Sequence, residues 1–293
     1  MYTYFEEDPI TVPMKVFISA DMEGITGVAA AEDVVKGEPE YERGVDLLHG
    51  DVNAAVEGAV DAGADDVLVN DSHSSMRNLD RERLDDRADL IRGNTKPRSM
   101  MEGLTDEFGV ALFVGYHAKA GTPEAVLNHT FFGHALQSLW VDDTEVGELG
   151  WNARLAGSLG VPVGLVTGDD ATVTEAHDEL TSPETVQVKE GIDRFSARCR
   201  PAAATQPAIT AASCRAVERA ADGALSPAQA EGPVTITASW ATTNQAGSAA
   251  GVPGVDRLDG RRTAVTAEAY SDAYDATVGM LRAGGSGTDE HYG

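Results

Sequence analysis

The chain has 293 residues, enough for one large or two small domains whose core needs no disulfide or metal staple. Its 22 basic against 48 acidic residues leave a net charge of −26, and 17 of the bases are Arg against 5 Lys. Such a charge repels nucleic-acid phosphates and anionic lipid and so argues against both as partners; the acid excess reads as a solvated surface suited to concentrated salt, a halophilic signature. Two cysteines, Cys199 and Cys214, with no CxxC spacing, argue against a disulfide scaffold or a zinc ribbon. No apolar run approaches the ~18 residues of a membrane span. The acidic N-terminus MYTYFEEDPITVP lacks the cationic and apolar regions of a signal peptide, so a cytoplasmic location is expected.

In chain order, residues 1–13 read as a flexible extension. Residues 14–20 (MKVFISA) are a β-branched and aromatic strand run, and residues 39–62 place Val45, Leu48, Val52, Ala55, Val56, Ala59 and Val60 on one helical face. Residues 66–70 and 110–115 are strands, and 139–146 is a hairpin turning at Asp142-Asp143. A helix over 147–159, a strand over 162–167, a helix over 172–180 and a strand over 185–189 complete a βαβ rhythm. That rhythm predicts an α/β fold of three layers: a central, mostly parallel or mixed sheet flanked by helices. Beyond it, an Ala- and Pro-rich stretch holds a helix over roughly 209–222. Strands at 234–240 and 262–268 and a helix at 269–282 follow. The expected organisation is a catalytic core over 14–195, a smaller α+β part over 196–283 that completes the fold and subunit contacts, and a disordered tail over 284–293.

Five potential metal ligands fall where strands end or turns begin. The first strand runs into Asp21-Met22-Glu23-Gly24, where i and i+2 on extended backbone project to one side. The second ends in Asn70-Asp71-Ser72-His73, the third in Gly115-Tyr116-His117, and the hairpin leads through Gly147 to Glu148 at a helix start. Ligands of open α/β sheets bind in the crevice outside the carboxyl ends of the strands. Two imidazoles and three carboxylates there suit zinc or a similar divalent ion, and five side chains exceed one three-ligand site, so they suit two ions sharing a carboxylate. Each element alone has an ordinary explanation: a helix cap, a solvated turn or a hydrogen-bonded histidine. Of the other histidines, His49 is expected to be exposed on its helix, and His134 to be structural or near substrate. The three tryptophans are expected to fill core or subunit contacts.

With Ser19-Ala20-Asp21-Met22-Glu23-Gly24-Ile25-Thr26-Gly27, Val69-Asn70-Asp71-Ser72-His73-Ser74, Gly115-Tyr116-His117-Ala118 and Val146-Gly147-Glu148-Leu149-Gly150 in this order, residues 14–282 resemble the D-aminopeptidase family of zinc metallopeptidases. The resemblance implies two zinc ions per chain. Asp21 corresponds to the carboxylate bridging them, with Glu23 and His117 completing one site and His73 and Glu148 the other. It implies a catalytic His129 in residues 121–132 (GTPEAVLNHTFF) and a ring-shaped homo-oligomer that admits only short peptides. Asp71 is a candidate to orient His73 or a neighbour; Asp169 and Asp170 either do likewise or cap a helix. The implied reaction is hydrolysis of the N-terminal residue, D-residues included, with activated water in place of a Ser or Cys nucleophile. No G-x-S-x-G elbow is present.

Two other readings of the same residues stand beside it. A non-catalytic peptide- or metal-binding protein of peptide uptake leaves His129 without a task. A binuclear metal phosphoesterase needs a basic clamp, for which Arg77, Lys96, Arg98 and Lys119 are the nearby candidates.

Overall fold

A computed structural model describes residues 13–229 and 232–287; most of the expected N-terminal extension, and 288–293 of the expected tail, lie outside the described residues. In chain order the elements are β1 (Lys15–Ala20), α1 (Tyr41–Asp61), β2 (Asp66–Asp71), β3 (Ala88–Ile91), β4 (Val110–Val114), β5 (Leu136–Val141), β6 (Thr144–Val146), α2 (Glu148–Ser158), β7 (Val163–Asp169), α3 (Asp170–Glu179), β8 (Glu184–Asp193), β9 (Ser196–Cys199), α4 (Ala202–Ala221), β10 (Val234–Trp240), α5 (Thr243–Ala249), β11 (Asp256–Arg257), β12 (Arg262–Ala267) and α6 (Tyr270–Gly285).

The main sheet runs β3-β2-β1-β4-β7-β8-β9 and is parallel except for its last pair. A parallel sheet is covered on both faces, so its central strands must be apolar throughout. Strands β4 and β7 are buried along their whole length, and β1 is buried beyond its first residue. Alternation then sorts their side chains. Val16, Ile18, Leu112 and Val114 meet Leu48 and Val52 of α1 and Ile209 and Ala216 of α4. Phe17 and Phe113 face the other way, into a core with Leu149 and Trp151 of α2, Ile236 of β10 and Tyr274 of α6. A second, antiparallel sheet, β11-β12-β10-β5-β6, belongs to that face.

The expected α/β class and central sheet are therefore present, with a second sheet added. That sheet draws strands from both sides of residue 195. The hairpin β5–β6 pairs with β10, Ile236 opposite Val141, while α4 packs against α1. Packing thus crosses the expected boundary.

Three differences from the sequence expectation have local causes. β3 was not expected; four residues pairing only with β2 carry too short a pattern to register. Helix α4 starts at Ala202 and keeps Pro207 inside, because contact with α1 outweighs the one lost backbone hydrogen bond. At Gly58 the two helices approach so closely that a Cβ would overlap the Thr210 carbonyl. Helix α6 runs on through Gly284 and Gly285, which had read as tail. Gly284 is buried against Trp240, and a side chain there would overlap the indole.

Candidate metal centre

The carboxyl ends of β1, β2 and β4 open on one crevice, and the start of α2 and the 121–132 loop close over it. All five expected ligands are there: Asp21, Glu23, His73, His117 and Glu148 are each no more than 6 % exposed. The backbone must turn sharply to deliver them. Gly115 adopts φ +75°, in the left-handed region that favours glycine. Gly24 lies so close to the Tyr116 carbonyl that any Cβ would overlap it.

Each imidazole is fixed by one nitrogen and offers the other. His73 Nε2 donates to the Val34 carbonyl at 3.0 Å, which turns Nδ1 toward Glu23 Oε2 at 3.0 Å and Asp21 Oδ1 at 3.4 Å. His117 Nδ1 donates to the Ala118 carbonyl at 3.1 Å, which turns Nε2 toward Glu148 Oε1 at 3.4 Å and Asp21 Oδ2 at 3.5 Å. Ligand atoms of Asp21, Glu23 and His73 lie within 4.8 Å of one another, and so do those of His117, His129 and Glu148. Asp21 thus presents one oxygen to each group. The grouping reverses the pairing the resemblance implied: Glu23 lies with His73, and His117 with Glu148. β1 stands between β2 and β4, and Glu23, on the connection after β1, meets His73 on the β2 side.

His129 Nδ1 donates to the Leu127 carbonyl at 2.8 Å, and its ring stacks on His117 with centroids 4.1 Å apart. Its Nε2 lies 4.0 Å from Glu23 Oε1 and 3.9 Å from Glu148 Oε1, between the two groups.

These residues fit cations. Asp21 Oδ2 and His117 Nε2 are buried without a hydrogen bond, an arrangement native interiors avoid unless an ion or ligand completes it. Burial, with Glu23 and Glu148 alongside, pushes the Asp21 carboxyl up to about 7. Burial opposes charge on His73 and His117 too, but the surrounding carboxylates outweigh it and hold both well above the usual imidazole range. Burial and the adjacent His117 hold His129 below that range. Three buried carboxylates within a few ångströms require compensating positive charge, from protons or from metal.

Asp71 does not touch the His73 ring. It accepts from the backbone N–H groups of Asn78 (2.6 Å) and Leu79 (2.8 Å) and from Asn78 Nδ2 (2.8 Å), and Asn78 Nδ2 also donates to the His73 carbonyl. Its hold on His73 therefore runs through Asn78. Asp169 caps α3 through Thr172 N at 2.8 Å and accepts from Val126 N at 2.7 Å, which ties down the loop carrying His129. His49 is buried rather than exposed. Its ring joins the Val45 carbonyl to the N–H of Asp80, a partner 31 residues away that helical periodicity does not reveal.

Sequence reasoning gave Lys189 no role. It is fully buried, and its ammonium donates to the carbonyls of Glu23, Ile25 and Val28. A lysine inside a β-strand run was the available signal, since an ammonium is seldom fully buried without partners.

A cavity of ≈ 770 Å³ opens above the cluster, a size suited to a small molecule. Its floor includes Asp21, Glu23, His73, His129 and Glu148, and its walls include Met76, Met100, Phe131 and Leu281. None of Arg77, Lys96, Arg98 or Lys119 lines it. Lys96 is spent on Asn70 and the Asp71 carbonyl, Arg98 on Asp275 and Lys119 on the Glu145 carbonyl, so the clamp foreseen for a phosphoesterase is absent from those positions.

A sequence model of the family described as D-aminopeptidase matches residues 14–278. The chain is 44% identical over 186 residues to a D-aminopeptidase of Bacillus subtilis (strain 168), an alignment covering 64% of this chain and 67% of that one. It superimposes on a solved structure described as a zinc-dependent D-aminopeptidase, DppA, from Bacillus subtilis, a self-compartmentalizing protease. The TM-score is 0.90 at 35% identity, over 94% of this chain and 100% of the other.

Proposed function

The chain belongs to the D-aminopeptidase family, and from that premise we propose that it is a zinc-dependent aminopeptidase releasing the N-terminal residue, D-residues included, from short peptides. The observation that carries the reading is the pair of His/carboxylate groups to each of which Asp21 presents one oxygen, with Asp21 Oδ2 and His117 Nε2 buried without a hydrogen bond beneath the cavity. Asp21, Glu23 and His73 would hold one ion, and Asp21, His117 and Glu148 the other. Zinc bound there supplies Lewis acidity toward the scissile carbonyl and lowers the pKa of water.

The chain's own groups do the rest. His129, anchored at Nδ1 by Leu127, moves a proton at Nε2: it takes one from the attacking water and returns it to the departing amine. Its lowered pKa leaves Nε2 free to accept at neutral pH. The buried walls limit access of bulk water. Self-compartmentalization, stated of the Bacillus protein, becomes for this chain a ring of identical subunits enclosing the cavities.

A panel of D- and L-aminoacyl amides, assayed with and without chelator, tests the reading; no chelator-sensitive release of any residue sinks it. His129→Ala is expected to cut kcat by ~10²–10⁴ with metal content intact. Loss of metal together with activity would make His129 a ligand, as its place beside His117 and Glu148 allows.

A further inference from the structure

Apart from the acidic ligands and the histidines, the charged side chains lining the cavity are Lys36 and Arg282, both cationic. In a chain with 48 acidic and 22 basic residues, a wall with two cations and no surplus acid runs against the composition. The two come from separate elements. Arg282 lies on α6 with Val278 and Leu281, at i, i+3 and i+4 of one helical face, and all three line the cavity. One Nη of Arg282 donates to the Lys96 carbonyl, which steadies the guanidinium, and it makes no ion pair among the described residues. Lys36 lies two residues after Val34, whose carbonyl holds His73, and makes no hydrogen bond or ion pair among the described residues.

We propose that Lys36 and Arg282 form a carboxylate-binding subsite, so that the preferred substrate is a very short peptide with a free C-terminus, its amino end at the metal centre and its carboxylate on these two cations. The lining matches such a peptide end to end: the metal-ligating groups on the floor for its amino end, two cations on the wall for its carboxylate, and apolar Met76, Met100, Phe131 and Leu281 for the side chains between. A cavity of ≈ 770 Å³ is of small-molecule size, which suits a very short peptide. A guanidinium pairs a carboxylate through two parallel N–H donors, and an exposed lysine adds attraction without fixed geometry.

The proposal rests on the aminopeptidase reading, and the test separates the two. A dipeptide acid and its C-terminal amide are compared on the zinc-loaded enzyme by kcat/KM. Hydrolysis-resistant analogues of both are compared by calorimetric binding. The acid is expected to be favoured about tenfold in both measurements, chiefly through KM, and the preference should shrink between 0.1 M and 1 M salt. Arg282→Gln and Lys36→Gln should each lower the preference threefold or more, with Arg282→Lys retaining part of it. Lys36→Gln keeps the test valid if loss of the Lys96 contact unfolds Arg282→Gln. Equal binding of acid and amide, or a preference unchanged in Lys36→Gln and in folded Arg282→Gln, overturns the proposal. So does tighter binding of a phosphomonoester than of the acid. Preferential binding of the acid analogue without turnover of any peptide would sink the aminopeptidase reading and leave the subsite standing.

Discussion

Asp21 is the residue on which the centre turns. Its two oxygens face different imidazoles, 3.4 Å from His73 and 3.5 Å from His117, so it is the shared member of both groups. Asp21→Asn keeps the volume but removes the charge between two dications. At least one ion should leave, whereas His73→Ala or Glu148→Ala should empty mainly one position. Metal stoichiometry across these variants decides it: Asp21→Asn retaining two ions while a single-site variant loses both would disprove the sharing. Away from the ligands, Asp51 on α1 accepts from Thr26 N at 2.8 Å and is fully buried. Burial pushes its carboxyl up to about 6, against hydrogen bonds from Thr26 and Gln206 and the opposing charge of Lys189. A raised folded pKa means the neutral acid is favoured by folding. That contribution is complete below about 4 and is lost as pH rises through about 6. Asp51→Asn should therefore gain stability relative to the parent between pH 4 and 6, by up to about 3 kcal/mol, and then level off. Denaturant titrations at matched metal loading measure this; a difference independent of pH would show that Asp51 does not titrate there.

Among the elements, the connection after β1 matters most, because it carries Glu23 and yet has no regular structure. Its order comes from outside: Lys189 of β8 reaches three of its carbonyls, and Asp51 of α1 takes the Thr26 N–H. Lys189→Met keeps most of the volume but strands these acceptors. It should cost about 3–5 kcal/mol and weaken metal retention through Glu23, with hydrogen exchange rising first over residues 23–28. Unchanged exchange and metal content in a folded Lys189→Met would remove its positioning role. Glu148 illustrates a different support. It opens α2, and its Oε1 accepts from Phe131 N at 2.6 Å, so one side chain binds the helix start to the His129 loop. The five candidate ligands were legible because each sits near a strand end or at a helix start. Lys189 and Asn78 were not, because their partners are distant in sequence.

For the whole molecule, the −26 charge sets the long-range energetics. Lowering salt extends the screening length from ~3 Å at 1 M to ~10 Å at 0.1 M, so repulsion between carboxylates reaches further. The described residues contain ion pairs such as Arg154–Glu179 and the Arg215–Glu184–Arg219 cluster, but too few bases exist to pair 48 acids. The fold should weaken and any ring loosen at 0.1 M relative to 2 M salt. Thermal melts and sedimentation at both concentrations test this, and equal behaviour would assign the acid excess to solubility alone.

The sequence by itself determined the parallel core, since only apolar strand runs separated by amphipathic helices satisfy a sheet covered on both faces. It also determined the ligand types, because Asp-x-Glu, a strand-end His and a helix-start Glu are local patterns. Tertiary structure decided what periodicity cannot encode. It set β1 between β2 and β4 and grouped Glu23 with His73 and His117 with Glu148. It joined the β5–β6 hairpin to strands nearly a hundred residues later, buried His49, and ran α6 past Gly284 against Trp240. Each of these rests on contacts between segments far apart in the chain, whose geometry is fixed only when the layers pack.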